Sequence, residues 1–308
     1  MSHQDGPRDQ TRMDVEGDAP SDPAATPAPP STRPPGKYWD PGEERWISRT
    51  LGGPTSGPGG QRTARPPDRP LWSVTVSEIV DVTPDVKRVR FGGENLEEFT
   101  HEAAADFVLF FPSDDGQPVT GQSTHRHYTT RRFDPIEKLL DVDFVLHGDG
   151  PGVRWISSAR PGDRMEISGP LVRRSLDPSA DWYLLVGDET AIPAVFGLAE
   201  ALPATASALL YLEVSGPSER QPFDAQAAVE VNWLFRGKTP GDLSDLLIDA
   251  LRDVNLPSGR GDVFLAGETG RIRALRQTLL AKGVARDQIF AMGYWRPGRL
   301  GGDEMVRD

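Results

Sequence analysis

The pattern of apolar residues changes near residue 180, and this change limits the possible folds more than any other feature of the chain. Before it, apolar or branched residues alternate with polar ones in short segments such as Val74–Val76 and Val86–Phe91, which is typical of half-buried strands. After it, continuous apolar segments such as Trp182–Val186 alternate with segments of helical spacing. The sequence therefore predicts an antiparallel β-barrel followed by an α/β domain, whose parallel sheet is covered by helices on both faces.

The same patterns, together with the composition of the two ends, divide the chain into four parts. Residues 1–70 contain fourteen of the 29 prolines and few aliphatic residues, so we expect a disordered tail. Its aromatic-rich segment Lys37–Thr50 is either loosely attached or docked on the folded part or on a partner. We expect the barrel over residues 71–176, the α/β domain over 177–300 and a C-terminal tail over 301–308, with a linker near residues 172–180.

Charge and residue usage exclude several classes of function. A formal net charge of −12 argues against nucleic acid or an anionic membrane as the main partner. The chain has no Cys, which excludes disulfides and Cys-ligated iron–sulfur clusters, and only His125 and His127 of the five His are close in sequence, so no metal site is predicted. No apolar run approaches the roughly 20 residues of a membrane span. The first 30 residues lack the apolar core of a secretory signal, so we expect a soluble, cytoplasmic protein.

The densest group of unusual residues begins at Arg126. On a strand, Arg126 and Tyr128 would point to one face, and His127 and Thr129 to the other. An Arg suits a phosphate, a Tyr offers a flat surface to a ring, and a hydroxyl reaches a ring nitrogen. From the residues alone, a polar barrel strand without a ligand is the simpler interpretation.

This segment resembles a known family. Arg126-x-Tyr128-Thr129 is similar to the flavin motif of the ferredoxin–NADP reductase superfamily, and a longer ordered set, from about residue 72 to 299, resembles the siderophore-interacting proteins, or ferric-siderophore reductases. The segments that carry this resemblance are Arg126–Pro135, Asp143–Gly148, Gly150–Trp155, Pro161–Asp163, Gly169–Pro170, Asp181–Leu185, Gly187–Pro193 and Gly293–Arg296.

The resemblance implies that the barrel binds FAD. Arg126 would hold the pyrophosphate, Tyr128 would stack on the isoalloxazine, and Thr129 would form a hydrogen bond near its reactive nitrogen, through its backbone or a local bulge. The family usually has Ala-Ser where this chain has Gly152-Val153, so that contact must come from backbone amides or water. A plain turn before a short helix, with Trp155 in the core, is the alternative. The remaining FAD candidates are Asp143, Val145, His147, Gly150, Gly152, Val153 and Trp155.

The resemblance also implies that NADPH or NADH binds at the strand ends of the α/β domain. Asp188 and Glu189 equally suit a helix start, where acidic residues interact favourably with the helix dipole. Glu213 suits a ribose hydroxyl and disfavours a 2′-phosphate, whereas Arg220 would favour one, so the choice between the two nucleotides stays open. Trp295 either shields the flavin or closes the core. The nicotinamide candidates are Gly187, Asp188, Glu189, Thr190, Glu213, Gly267 and Trp295.

The implied activity is reduction of siderophore-bound Fe(III) by electrons that pass from NADPH or NADH through FAD. It needs no catalytic acid or base and no fixed iron ligands, because the flavin performs the electron chemistry. Ferric siderophores are often anionic, so we expect a basic opening, although a solvated charged surface explains each cation equally. The candidate substrate residues are Lys87, Arg131, Arg132 and Arg296. The alternatives are a flavin-bearing siderophore-binding protein supplied by a ferredoxin, or a general NAD(P)H flavin or ferric reductase.

Overall fold

A computed structural model describes residues 38–40, 45–47, 70–93, 95–99, 101–111, 125–298 and 304–306. Within the predicted disordered tail, β1 (Tyr38–Asp40) and β2 (Arg45–Ile47) pair as an antiparallel hairpin. Apart from these two strands and Pro70, the residues of the predicted tail lie outside the described residues.

The first sheet consists of seven antiparallel strands formed by the alternating segments. They are β3 (Leu71–Thr83), β4 (Val86–Gly92), β5 (Asp106–Phe110), β6 (His125–Thr129), β7 (Arg132–Asp134), β8 (Leu139–Val145) and β9 (Arg164–Leu171). Their order is β6-β5-β9-β3-β4-β8-β7. Only Thr130 and Arg131 separate β6 from β7, so the two edges of the sheet must approach each other and the sheet curls into a barrel. A short helix, α1 (Pro151–Ile156), follows β8. The predicted antiparallel barrel is confirmed.

The second sheet has six strands, five of them parallel. They are β10 (Trp182–Asp188), β11 (Ser207–Val214), β12 (Ala228–Phe235), β13 (Gly261–Glu268), β14 (Ile289–Trp295) and the antiparallel β15 (Glu304–Met305), in the order β12-β11-β10-β13-β14-β15. Because the chain moves outwards from β10 in both directions, the sheet has a crevice at the carboxyl ends of β10 and β13, where ligands bind in such folds.

Helices cover both faces of this sheet, as the continuous apolar strands predict. The core on one face contains residues of α2 (Ile192–Glu200). The core on the other contains residues of α3 (Leu246–Asp253) and α4 (Thr269–Ala281). Val306, in the predicted C-terminal tail, is buried in this second core after β15. None of the helices among the described residues is long and apolar enough to cross a membrane.

The predicted linker is fixed to both sheets. Arg173 donates through Nε and Nη2 to Oδ2 of Asp106 on the barrel, at 3.0 and 2.8 Å. Arg174 forms an ion pair with Asp262 at the start of β13, and the amide of Asp177 donates to the same carboxylate at 2.7 Å. The connection therefore holds the two sheets together.

Candidate functional site

A cavity of about 500 Å³ lies between the barrel and the parallel sheet. Its barrel wall consists of β6, the end of β8 and the loop that leads to α1, and its opposite wall consists of residues around the start of α2 and along β13 and β14. It is lined by Ala104, Asp106, Arg126–Thr129, Asp143, Val145, His147–Val153, Arg173, Arg174, Thr190, Pro193, Phe264, Phe290, Met292 and Tyr294–Gly298.

Both faces of β6 contribute to the cavity. Arg126, His127, Tyr128 and Thr129 all line it, although alternate residues of a strand point in opposite directions. The pairing of β6 with β5 is regular, so Tyr128 and Thr129 both reach the cavity without a local β-bulge. Since β6 is an edge strand, the cavity can receive side chains from both of its faces.

The barrel wall is electrostatically suited to an anion. The guanidinium of Arg126 is partly buried, and this burial, together with the positive charge of Arg154, lowers the pKa of Arg126. Its Nη1 donates to the carbonyl oxygen of His125 at 2.6 Å. A partly buried cation next to a second cation is stabilised by a negative charge, so Arg126 fits a phosphate group.

Tyr128 and Gly152 form a close contact in this wall. The ring of Tyr128 lies 4.5 Å from that of Phe144, and burial raises the pKa of its phenol, which stays protonated. A Cβ atom at position 152 would collide with the Tyr128 hydroxyl. The start of α1 has no side-chain cap, so its first amides remain for other acceptors. The loop thus offers backbone donors beside an aromatic ring, which fits the pyrophosphate and ring of a flavin nucleotide.

Three other FAD candidates also line the cavity. The buried carboxylate of Asp143 accepts hydrogen bonds from Arg88 Nε and Nη2 at 2.6 and 2.8 Å, so its charge is already balanced within the barrel. Val145 follows on the same strand. Burial lowers the pKa of His147, whose ring lies 5.7 Å from that of Trp295 across the cavity.

Trp155 does not line the cavity. Its ring packs against Phe144, Phe111 and Phe91, with centroids 5.4, 6.0 and 6.2 Å away. Its predicted FAD contact is therefore replaced by the alternative, a position in the barrel core.

Of the predicted nicotinamide residues, Thr190 and Trp295 line the cavity, and Asp188 lies behind them. Asp188 accepts hydrogen bonds from the amide and hydroxyl of Thr190 at 2.9 and 2.5 Å, the amide of Glu268 at 2.8 Å and the indole Nε1 of Trp295 at 2.8 Å. It thereby connects the ends of β10, β13 and β14. These contacts favour the local, structural interpretation of Asp188.

The other acidic candidates are also used internally. Glu189 forms a two-point ion pair with Arg236 at 2.7 and 2.5 Å. Glu213 is buried, which raises its pKa, and it accepts a hydrogen bond from Ser244. Gly187, Glu189, Glu213 and Gly267 are not among the cavity-lining residues.

The two glycines allow the strand ends to pack closely. A Cβ at Gly187 would collide with Ala191 and the carbonyl of Ala266, and one at Gly267, where φ is +144°, would approach Asp188 at 2.6 Å. Arg220, the alternative phosphate ligand, lies over the ring of Phe235 at 5.0 Å.

Of the predicted substrate cations, Arg296 lines the cavity. The prediction for Arg131 is wrong, because its side chain is buried and held by Glu200. Lys87 pairs with Asp81, and Arg132 is exposed, with neither among the cavity-lining residues. Within the described ranges, no three His, Asp or Glu side chains come together as metal ligands.

The structure adds a cluster that the sequence did not single out. His127 Nδ1 lies 2.8 Å from Oδ2 of Asp106, and the same oxygen accepts a hydrogen bond from Arg173. Burial alone would raise the pKa of Asp106, but the hydrogen bonds with His127 and Arg173 outweigh it and lower the pKa. The consecutive arginines 173 and 174, one residue beyond the end of β9, were the available signal.

Comparisons with known proteins agree with this geometry. Residues 75–174 match the siderophore-interacting FAD-binding domain, and residues 180–298 match the siderophore-interacting protein family. The chain is 29% identical to the ferric vibriobactin reductase ViuB of Vibrio cholerae over 236 residues, which cover 71% of this chain and 86% of the relative.

Solved structures share the fold. A siderophore utilization protein from T. fusca is 35% identical with a TM-score of 0.67, over 75% of this chain and 95% of that one. The ferredoxin-NADP+ reductase of Plasmodium falciparum is 11% identical with a TM-score of 0.58, over 71% of this chain and 95% of that one, and shows the common fold alone.

Proposed function

This chain belongs to the siderophore-interacting protein family, and we propose that it is an FAD-dependent reductase that transfers electrons from NADH or NADPH to Fe(III) bound by a siderophore. The observation that carries the proposal is the single cavity shared by the flavin motif of β6 and the aromatic end of β14. A hydride donor and an acceptor must meet closely, and this cavity is where residues of the two domains meet.

We assign FAD to the barrel wall. Arg126 binds the phosphates, where its partly buried charge is stabilised by an anion, and the backbone amides after Gly150 add neutral donors. Tyr128, held by Phe144, presents its ring to the flavin, and Thr129 orients the flavin edge. When bound, FAD converts two-electron donation into the one-electron reduction that iron requires.

We assign the nicotinamide to the opposite wall. Thr190 and Trp295 face the cavity, and both are held in place by Asp188. The ring of Trp295 also packs beside that of His147 on the barrel wall, so it connects the two walls of the cavity. The chain's task is to place and shield the reactants, so no side chain has to act as general acid or base.

The substrate would be a ferric siderophore, and Arg296 is the cation that remains from the predicted basic opening. Electrons reduce the iron, and Fe(II) binds hard oxygen ligands more weakly than Fe(III), so the metal is released. The ferric vibriobactin reductase named above supports this substrate class.

A second candidate is a flavoprotein with the same substrate that receives electrons from a ferredoxin. The acidic turn after β10 favours it, because Arg236 is already paired with Glu189 and so does not offer its full charge to the phosphates of a nicotinamide nucleotide. A general flavin or ferric reductase is the third candidate.

Two spectroscopic experiments separate these candidates. The purified protein should be yellow, and anaerobic NADH or NADPH should bleach it. Addition of a ferric siderophore with an Fe(II) trap should then restore the colour and produce Fe(II). Bleaching by a reduced ferredoxin but by neither nucleotide would establish the second candidate, and loss of colour on gel filtration with activity restored by free flavin would establish the third.

A further inference from the structure

An ion pair between a buried arginine and a partly exposed glutamate joins the barrel to the α/β domain. Nη1 and Nη2 of Arg131, between β6 and β7, donate to the two carboxylate oxygens of Glu200, the last residue of α2, both at 2.8 Å. The guanidinium also lies 5.4 Å from the ring centroid of Phe196, one turn earlier on the same helix. The side chain of Arg131 is 4% exposed, so water hardly competes for these contacts.

Such an ion pair fixes the relative position of the two groups more than it stabilises the folded state. Removing the Arg131 guanidinium from water offsets much of its attraction to Glu200, and Nε of Arg131 is buried with no hydrogen-bond partner among the described residues. An apolar contact would join the domains at lower cost. A two-point contact between a planar guanidinium and a carboxylate, however, defines both a distance and an angle.

The pair connects the two halves of the cavity by a short path. Arg131 is two residues beyond Thr129, which lines the barrel wall, and its own amide is fixed to the carbonyl of Asp141 on β8. Glu200 ends a helix whose second residue, Pro193, lines the opposite wall. A rigid nine-residue helix, about 13 Å long, therefore leads from the ion pair to the nicotinamide wall.

A second set of contacts bridges the domains at the β3–β4 turn. The buried carboxylate of Glu219 accepts from the hydroxyl of Thr83 at 2.5 Å and the amide of Asp85 at 3.3 Å. These contacts keep the domains together when the Arg131–Glu200 pair is broken. Breaking the pair should consequently change the angle between the domains without separating them.

We propose that Arg131 and Glu200 are positioning residues that set the approach of the nicotinamide wall to the flavin wall. The inference rests on the proposed function, since it concerns the transfer of electrons across that cavity. It replaces the role of Arg131 predicted from the sequence.

The first test measures anaerobic flavin bleaching with NADH or NADPH in Arg131→Lys and Glu200→Gln. Each change removes the two-point ion pair, and a displacement of the reactants by an ångström lowers the limiting rate by about ten- to hundredfold. The nucleotide concentration for half-maximal rate and the affinity for FAD should change little.

Arg252→Lys is the control for the first test. It disrupts an ion pair with Asp249 within α3, and neither residue lines the cavity, so the bleaching rate should stay unchanged. The two positioning variants together should be no slower than either alone. A limiting rate in both variants equal to that of the control would overturn the inference.

The second test needs no electron donor. Trypsin cleavage of the FAD-loaded protein after Arg173 or Arg174 reports opening between the domains, because both side chains are fixed to them. Cleavage should accelerate in Glu200→Gln but not in Arg252→Lys, and equal rates would contradict the inference. If the unmodified protein is not bleached by nucleotides, the donor assignment fails while the cleavage comparison still decides the role of the pair.

Discussion

The two walls of the cavity use charge in opposite ways. On the barrel wall, the Arg126 cation faces the cavity and has a lowered pKa, so it is stabilised by a ligand anion. Behind the α/β wall, the carboxylates of Asp188, Glu189 and Glu213 accept hydrogen bonds from their own domain. The surroundings of a charged residue thus separate the two cases: Arg126 lies against the cavity near a second cation, whereas the three carboxylates are engaged by donors of their own domain.

The largest expected effect comes from removing the ligand-facing charge. Arg126→Ala should weaken FAD binding by about ten- to a hundredfold, since a charge-assisted hydrogen bond contributes on the order of 1.5–3 kcal/mol. Flavin fluorescence during titration of the apoprotein measures this change. Arg164→Ala, on an exposed position of the same barrel, should bind FAD normally. Equal affinity of both variants would reject the phosphate role of Arg126.

On the opposite wall, the corresponding change should affect folding before nucleotide binding. Asp188→Asn replaces a carboxylate that accepts four hydrogen bonds by a group with one acceptor oxygen and two N–H donors. The free energy of unfolding should fall by about 1–3 kcal/mol, because buried donors lose their acceptor. Urea titration monitored by tryptophan fluorescence measures it. Unchanged stability together with weaker nucleotide binding would show that Asp188 is a direct ligand contact.

A smaller effect tests the shape of the barrel wall. In Gly152→Ala, the added methyl group meets the Tyr128 hydroxyl, and overpacking of this kind costs about 1–3 kcal/mol when neighbours can shift only partly. FAD affinity should fall because Tyr128 is displaced from the wall, and the unfolding temperature of the apoprotein should fall as well. Gly92→Ala, in the same barrel, is the control, because an added Cβ there meets Leu139 at an ordinary contact distance of 3.8 Å. If FAD binds both variants alike, Tyr128 and Gly152 do not shape the flavin site.

The smallest expected effects are pH dependences of folding stability, and they have opposite signs for Asp106 and Glu213. The pKa of Asp106 is lowered by His127 and Arg173 despite burial, so its stabilising contribution is present above the ordinary Asp range and is lost as pH falls through the lowered value. The pKa of Glu213 is raised by burial, so its contribution is present below the ordinary Glu range and is lost as pH rises through the raised value.

Asp106→Asn should therefore be less stable than the unmodified protein at neutral pH, with the difference narrowing below about pH 4. Glu213→Gln should gain relative stability as pH rises from 4 towards neutrality. Urea midpoints across this range measure both trends. Parallel curves for either variant would show that its carboxyl group titrates alike in the folded and unfolded states.

The sequence predicted the fold because the information is local. Strand alternation before residue 180 and continuous apolar strands after it reflect how many faces of each sheet are buried. The FAD candidates from Arg126 to Trp155 were close in sequence and came together in one wall, with the exception of Trp155. That residue was part of the motif, but its ring completes the barrel core.

The parts that escaped prediction depend on distant partners. Arg131 and Arg132 are adjacent arginines with the same appearance in sequence, yet one is buried and the other exposed. What separates them is Glu200, 69 residues further along the chain. The pairing of Asp188 with Trp295 spans 107 residues, and no local pattern indicates it.

The short strand β15 has a consequence for how this protein behaves at high concentration. An uncovered sheet edge presents a row of amide and carbonyl groups that can template a strand from another molecule. Glu304–Met305 pairs with Met292 and Gly293 of β14, and the buried Val306 anchors it. Without these three residues, β14 would become an uncovered edge that could pair with a strand of another molecule.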